Sequence, residues 1–258
     1  MIRQHLMIPS THGNYDIPAI LTLPEETGHF PAMVMCHGTG TNKDEAGQGY
    51  TKMATKLAIA GFASLRFDFI GNGESTVPYE KYSFTSGIND TLDVTDYLRQ
   101  QHTIIADQIG IMGWSQGGTI AMLTAGKTTF QAVLLWSGAL DMSTLIPPEA
   151  YQQGSYQLDL GFRDPLTIGS QWMSDVQQTD VIETFRHNQA PVYAIAGGQD
   201  PIVSPTTPEK ICTQSRNKAS QFTVISAGDH LFNILSKDNT TFTQLMTISI
   251  SWLTTVIN

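Results

Sequence analysis

Ser115, Asp200 and His230 stand in an order, and each in a local setting, that would suit attack on a carbonyl carbon. The segment Gln108-Ile-Gly-Ile-Met-Gly-Trp-Ser-Gln-Gly-Gly118 carries Ser115 in a Gly-x-Ser-x-Gly pattern. An apolar run precedes the pattern and a helical one follows, which is the context that marks a nucleophile. The reason is steric. A serine on a tight strand-to-helix turn holds its hydroxyl clear of the backbone, and the residues two places to either side must be small because the chain nearly touches itself there. Gly113 and Gly117 meet that need, and Gly118 adds room. The first N–H groups of the following helix would place partial positive charge beside the reacting oxygen. A serine that only caps a helix after a glycine turn would leave much the same trace. The apolar strand ahead of it favours the nucleophile.

A hydroxyl is a weak nucleophile and needs a neighbouring base. There are seven histidines. His230 follows the last apolar run, in Ala227-Gly-Asp-His-Leu-Phe232, and comes after the acid in the chain, as this type of turn requires. His102 and His187 sit in polar surroundings that suit exposed side chains. Asp200, in Ala196-Gly-Gly-Gln-Asp-Pro-Ile-Val203, follows a strand between the serine and the histidine. It would accept the imidazole N–H, hold the tautomer and stabilise the imidazolium. Asp141 follows the preceding strand and is its rival, whereas Asp229 adjoins His230, and adjacent side chains on an extended loop diverge.

The tetrahedral intermediate needs N–H donors aimed at its negative oxygen. Gln116, next after the serine, offers one. Thr39 offers the other, in the loop His37-Gly-Thr-Gly-Thr-Asn-Lys-Asp-Glu45, whose glycines alone would equally make a turn. No metal or cofactor is expected: there is no HExxH or His/Cys cluster. Gly71-Asn-Gly73 lacks the third glycine of a dinucleotide loop. Asp90, Asp93 and Asp96 share a helix face, and a solvated acidic face is expected there.

The elements that must carry these residues alternate. Arg3–Pro9 and Asp16–Pro24, split by the turn residues Ser10-Thr-His-Gly-Asn14, predict an antiparallel hairpin. Strands follow at Phe30–Cys36, Ala63–Phe69, Gln108–Met112, Ala132–Trp136, Pro191–Ala196 and Gln221–Ser226, with helices at Tyr50–Ala60, Ser86–Gln101, Gln116–Thr124 and Thr240–Ile257. Alternation of this kind predicts an α/β fold with a mostly parallel eight-stranded sheet covered on both faces. Leu140–Gln189 breaks the rhythm. It is too long for a bare loop and reads as a helical cap over the sheet's C-terminal edge. Residues 1–258 therefore read as one domain with a cap insertion at about 140–189. Its aromatics, Tyr151, Tyr156, Phe162, Trp172 and Phe185, either line a pocket or anchor the cap, and Trp172 is the candidate for substrate contact.

Composition narrows the partners. Charged residues make up 14% of 258, against about 25% in typical domains. Twenty-three acids and 14 bases leave a net charge of −9, which argues against nucleic acid. No apolar run approaches a membrane span or the core of a signal peptide. Cys36 and Cys212 are far apart and outside any CxxC pair. The expectation is a cytoplasmic chain with a small-molecule substrate and no nucleic-acid or membrane partner, a homodimer being left open. The glutamine-rich cap lacks the broad apolar face of a lid that opens on oil, which favours soluble substrates.

Five segments together resemble the α/β-hydrolase superfamily over about residues 15–257, and within it the bacterial cinnamoyl (feruloyl) esterases and related small carboxylesterases. They are His37–Glu45, Arg66-Phe-Asp-Phe-Ile-Gly-Asn-Gly-Glu-Ser75, Gly113–Gly118, Asp200-Pro-Ile-Val-Ser-Pro205 and Gly228-Asp-His230. The resemblance implies a Ser115–His230–Asp200 triad, Thr39 and Gln116 as oxyanion donors, and hydrolysis of short or medium acyl esters, hydroxycinnamoyl esters among them. Thr39 stands where those esterases carry an aromatic, and Trp114 where they carry histidine. A peptidase, thioesterase or acyltransferase on the same triad is the alternative, with a non-catalytic binding protein behind it.

Overall fold

The computed structural model describes residues 1–257. Strands β1 (Ile2–Pro9) and β2 (Asp16–Leu23) form the expected antiparallel hairpin. β3 (Phe30–Cys36) leads through a loop to helix α1 (Gly49–Ile59) and strand β4 (Ala63–Phe67). Helix α2 (Phe84–Arg99), strand β5 (Ile104–Trp114), helix α3 (Gln116–Ala125) and strand β6 (Val133–Trp136) follow. The segment after β6 holds helix α4 (Ala150–Gln153), strands β7 (Ser155–Leu158) and β8 (Leu166–Gly169), and helices α5 (Ser170–Gln178) and α6 (Val181–Phe185). Strand β9 (Val192–Gly197), helix α7 (Thr207–Gln214), strand β10 (Gln221–Ile225) and helix α8 (Thr240–Val256) complete the chain.

Eight strands pair in the order β1-β2-β4-β3-β5-β6-β9-β10; β2 runs antiparallel to β1 and β4, and every pairing from β4 to β10 is parallel. The strand period of two divides each central strand between two cores. Ala32, Val34 and Cys36 of β3 join the cluster under α2 and α3, and Met33 and Met35 join the one under α1 and α8. Both faces are thus covered, which is why these strands are apolar at successive positions. Cys36 is one of the packed core residues, and burial pushes its thiol up to about 12.

Three sequence expectations change. Helix α7 was not anticipated. It is short, with Pro208 in its first turn, but two parallel neighbours such as β9 and β10 need a crossover between them. The insertion is not wholly helical: β7 and β8 form a two-stranded antiparallel ribbon within it. The acidic face of α2 is not solvated either. Asp90 is fully buried and Asp93 nearly so; only Asp96 is exposed, paired with Arg99 at 2.9 Å. Asp90 accepts from the Tyr15 hydroxyl at 2.7 Å and the Ile70 N–H at 2.9 Å, and Asp93 accepts from the Thr11 hydroxyl and N–H at 2.6 and 2.9 Å. The hairpin turn supplies donors that helix periodicity could not foretell.

Burial pushes the Asp90 carboxyl up to about 6, against the Tyr15 hydroxyl and the Ile70 N–H, which act the other way. In the unfolded chain it titrates near its ordinary value of about 4. The folded state therefore binds this proton more tightly, so the group's contribution to stability is complete below about pH 4 and is lost as pH rises to about 6. Asp90→Asn is expected to flatten that part of the stability curve, read as thermal unfolding midpoints in steps from about pH 4 to about pH 7.

Candidate active site

Ser115 sits between β5 and α3 at φ 55° and ψ −122°, a backbone region that L residues rarely occupy. Its N–H donates to the Trp136 carbonyl at 3.0 Å, and its carbonyl accepts from Ala139 at 3.1 Å, so the neighbouring strand end over-determines the turn. The flanking glycines are required as the sequence suggests. A Cβ on Gly113 would lie 2.1 Å from the Gly117 carbonyl oxygen, and one on Gly117 would lie 1.9 Å from that of Cys36.

The Ser115 Oγ lies 3.1 Å from His230 Nε2, and His230 Nδ1 lies 2.8 Å from Asp200 Oδ2. The other Asp200 oxygen accepts the Ile202 and Val203 N–H groups at 2.8 and 2.9 Å. Burial pushes this carboxyl up, but the His230 hydrogen bond and charge, with the two N–H donors, outweigh it and hold the group below its ordinary value. An ionised Asp200 is acceptor-only, so Nδ1 carries the imidazole proton and Nε2 is left to accept from the serine hydroxyl. Asp141, the rival acid, is exposed and bonds the Ser143 N–H, and Asp229 bonds the Leu231 and Asn233 N–H groups in its own loop.

The two oxyanion candidates lie on the elements that flank Ser115. Gln116 opens α3, and Thr39 lies in the loop after β3; both Thr39 and Ser115 border one cavity of about 540 Å³. Among the described residues, the N–H groups of Thr39 and Gln116 have no protein acceptor. Burial pushes His37 down to about 4. Its Nε2 accepts the Phe69 N–H at 3.1 Å, so Nδ1 donates to the Gly38 carbonyl at 2.9 Å. Lys43, whose ammonium meets Asp68 at 2.6 Å and Glu74 at 2.5 Å, fastens the far side of the loop.

Trp172 is placed differently from the expectation. It is fully buried, packs edge-on against Phe84 and donates its indole N–H to the Gln116 side-chain oxygen at 2.9 Å. It does not border the cavity; it positions Gln116 from beneath. The cap lines the cavity instead with Leu145, Leu160 and Phe162. Arg163 fastens the cap to the loop after β3 through the Gly40 carbonyl at 2.7 Å. Two further residues escaped sequence reasoning. Trp114 donates its indole N–H to the His230 carbonyl at 3.1 Å and stacks on Phe242, which ties the histidine loop to the core. Glu45 is buried at the cavity wall. Burial pushes its carboxyl up, while the N–H groups of Gly38 and Ala46, the Thr41 hydroxyl and nearby His230 pull it down. The only sequence signal for Glu45 was an acid at the end of the glycine-rich loop.

The sequence profile of the prolyl oligopeptidase family (peptidase S9) matches residues 57–258. The chain belongs to that family. The serine turn lies inside the matched region, and β3 with the loop after it begins ahead of that region. It is 31% identical over 133 residues to 2,6-dihydropseudooxynicotine hydrolase of Paenarthrobacter nicotinovorans, covering 49% of this chain and 33% of that protein. It is 29% identical over 136 residues to a probable 2-oxo-3-(5-oxofuran-2-ylidene)propanoate lactonase of Bradyrhizobium sp., covering 48% and 52%. The matches thus span between a third and about half the length of these relatives. Est1E of Butyrivibrio proteoclasticus, solved with ferulic acid bound, superimposes with a TM-score of 0.77 at 21% identity over 94% of this chain and 96% of its own, a likeness of fold. No helix among the described residues is long and apolar enough to cross a membrane.

Proposed function

We propose that this family member is a serine hydrolase of carboxylic esters with short or medium acyl groups. The observation that carries the reading is the unbroken hydrogen-bonded chain from Ser115 through His230 to Asp200, opening on the 540 Å³ cavity. His230 Nε2 takes the hydroxyl proton as Ser115 Oγ bonds the carbonyl carbon, and the carbonyl electron pair moves onto oxygen, where the Thr39 and Gln116 N–H groups stabilise it. Collapse expels the alcohol, protonated by His230. Water then repeats the sequence on the acyl-enzyme and releases the acid.

The cavity supports a neutral apolar substrate. Leu145, Leu160, Phe162, Ile202, Leu231 and Leu235 line it, and no lysine or arginine does. Its volume accommodates a small aliphatic or hydroxycinnamoyl group. The probable lactonase and the ferulic-acid-bound Est1E among the similar proteins are consistent with acyl–oxygen chemistry. Amide hydrolysis is the second reading, because the matching family is one of peptidases. Purified protein is expected to turn over p-nitrophenyl acetate, butyrate and a methyl hydroxycinnamate faster than aminoacyl p-nitroanilides. Faster turnover of the anilides would replace the ester reading with the peptidase one.

A further inference from the structure

We propose that Glu45 is a positioning residue of the oxyanion site: its carboxylate fixes the peptide ahead of Gly38, and so decides where the Thr39 N–H points. The inference rests on the reading of Thr39 as an oxyanion donor. Gly38 has no Cβ, so the two peptides it joins are free to rotate against one another unless each is held. The second peptide, which carries the Thr39 N–H, is held through its carbonyl by His37 Nδ1 at 2.9 Å and by the Thr41 N–H at 3.4 Å. The first peptide is held by the short bond from the Gly38 N–H to Glu45 Oε1. The same oxygen accepts the Thr41 hydroxyl at 3.0 Å, and Oε2 accepts the Ala46 N–H at 2.9 Å. One carboxylate thereby joins the peptide before Gly38 to the residue that braces the peptide after it. With the C=O of a trans peptide turned toward His37 and Thr41, its N–H must point the opposite way.

Two observations set Glu45 apart from an ordinary loop acid. A Cβ on Gly38 would lie 3.2 Å from Glu45 Oε1 and 3.5 Å from the Ser115 Cβ, so the carboxylate works beside the nucleophile. The Glu45 backbone lies at φ 61° and ψ 172°, a region nearly reserved for glycine. A glycine would relax there, yet the chain holds a glutamate whose three acceptor bonds all serve this loop.

Because the Thr39 N–H meets charge that develops only as the tetrahedral adduct forms, misdirecting it should lower kcat and leave KM. Glu45→Gly removes the carboxylate while relaxing the backbone. It is expected to keep the wild-type thermal midpoint or raise it. Its kcat on the best ester, and its rate of Ser115 labelling by a fluorophosphonate, should fall about tenfold to a hundredfold, with KM within about twofold. In labelling, Ser115 Oγ displaces fluoride from phosphorus, and the proton passes to His230. Glu45→Gln, whose amide oxygen can still accept the Gly38 N–H, should restore most of both rates. The proposal is overturned by wild-type rates in Glu45→Gly, by a loss confined to KM, or by Glu45→Gln as slow as Glu45→Gly. Wild-type protein that labels at Ser115 but hydrolyses no ester would remove the ester reading and leave the labelling comparison intact. Wild-type protein that does not label would remove the oxyanion site and the Glu45 role with it.

Discussion

Ser115→Ala is expected to lower kcat on the best ester by about five orders of magnitude or more, with the fold unchanged. The side chain loses only Oγ, whose contact is His230 Nε2 at 3.1 Å. Alanine keeps the Cβ, so the strain at φ 55° is the same in both proteins and the turn has no new reason to move. Neither cysteine takes its place: Cys36 is fully buried with a thiol pushed up to about 12, and Cys212, on α7 and outside the cavity lining, has its thiol pushed up to about 11. On the proposed mechanism the Thr39 and Gln116 N–H groups remain as oxyanion donors and would account for a residual rate above buffer. Steady-state kinetics beside a thermal unfolding scan checks the expectation. A well-folded variant with wild-type turnover would overturn the Ser115 mechanism.

Gly117→Ala is expected to cost at least about 3 kcal/mol of folding stability, beyond the usual range for one added methyl group. Overpacking is normally absorbed by side chains that swing aside. Here the new Cβ would lie 1.9 Å from the Cys36 carbonyl oxygen, 2.5 Å from its carbon and 2.6 Å from the His37 carbonyl oxygen. All three are backbone atoms at or just past the end of a buried central strand, so relief requires β3 and α3 to separate. β3 also pairs with both β4 and β5, and its end leads into the loop that carries Thr39, the proposed oxyanion donor. Any folded fraction should therefore be impaired as well as scarce. Denaturant unfolding midpoints measure the stability loss, and a variant as stable as the wild type would show that the turn yields more readily than its contacts imply.

The nucleophile turn was legible because its constraint is local: the serine, its two glycines, the end of the strand before them and the start of the helix after them lie within the eleven consecutive residues 108–118. His230 and Asp200 were legible for a related reason. Each follows a strand, and a parallel sheet brings the ends of successive strands to one edge, so strand order alone carries them toward Ser115. Burial of Asp90 and Asp93 was not legible, because a helix face reads as solvated unless one knows that Ser10 and Thr11 supply donors to Asp93, and Tyr15 and Ile70 to Asp90, from distant parts of the chain. Helix α7 was hidden by its brevity, and the β7–β8 ribbon by strands of only four residues each.

The amino-acid sequence by itself determined the layered fold, the strained serine and the order of the three residues now hydrogen-bonded to one another, since apolar periodicity and glycine sterics act over a few neighbouring positions. The tertiary structure alone decided where side chains with two plausible fates would go. Trp172 turned from the cavity to the Gln116 amide, Trp114 reached the His230 carbonyl, and Glu45 closed on the Gly38 N–H. Trp172 and Trp114 meet partners 56 and 116 positions away in the chain. Glu45 meets one only 7 positions away, but across a loop whose shape is set by β3, Lys43 and Asp68. A buried polar group must find a partner somewhere, but which partner depends on how distant segments pack, and no local pattern records that.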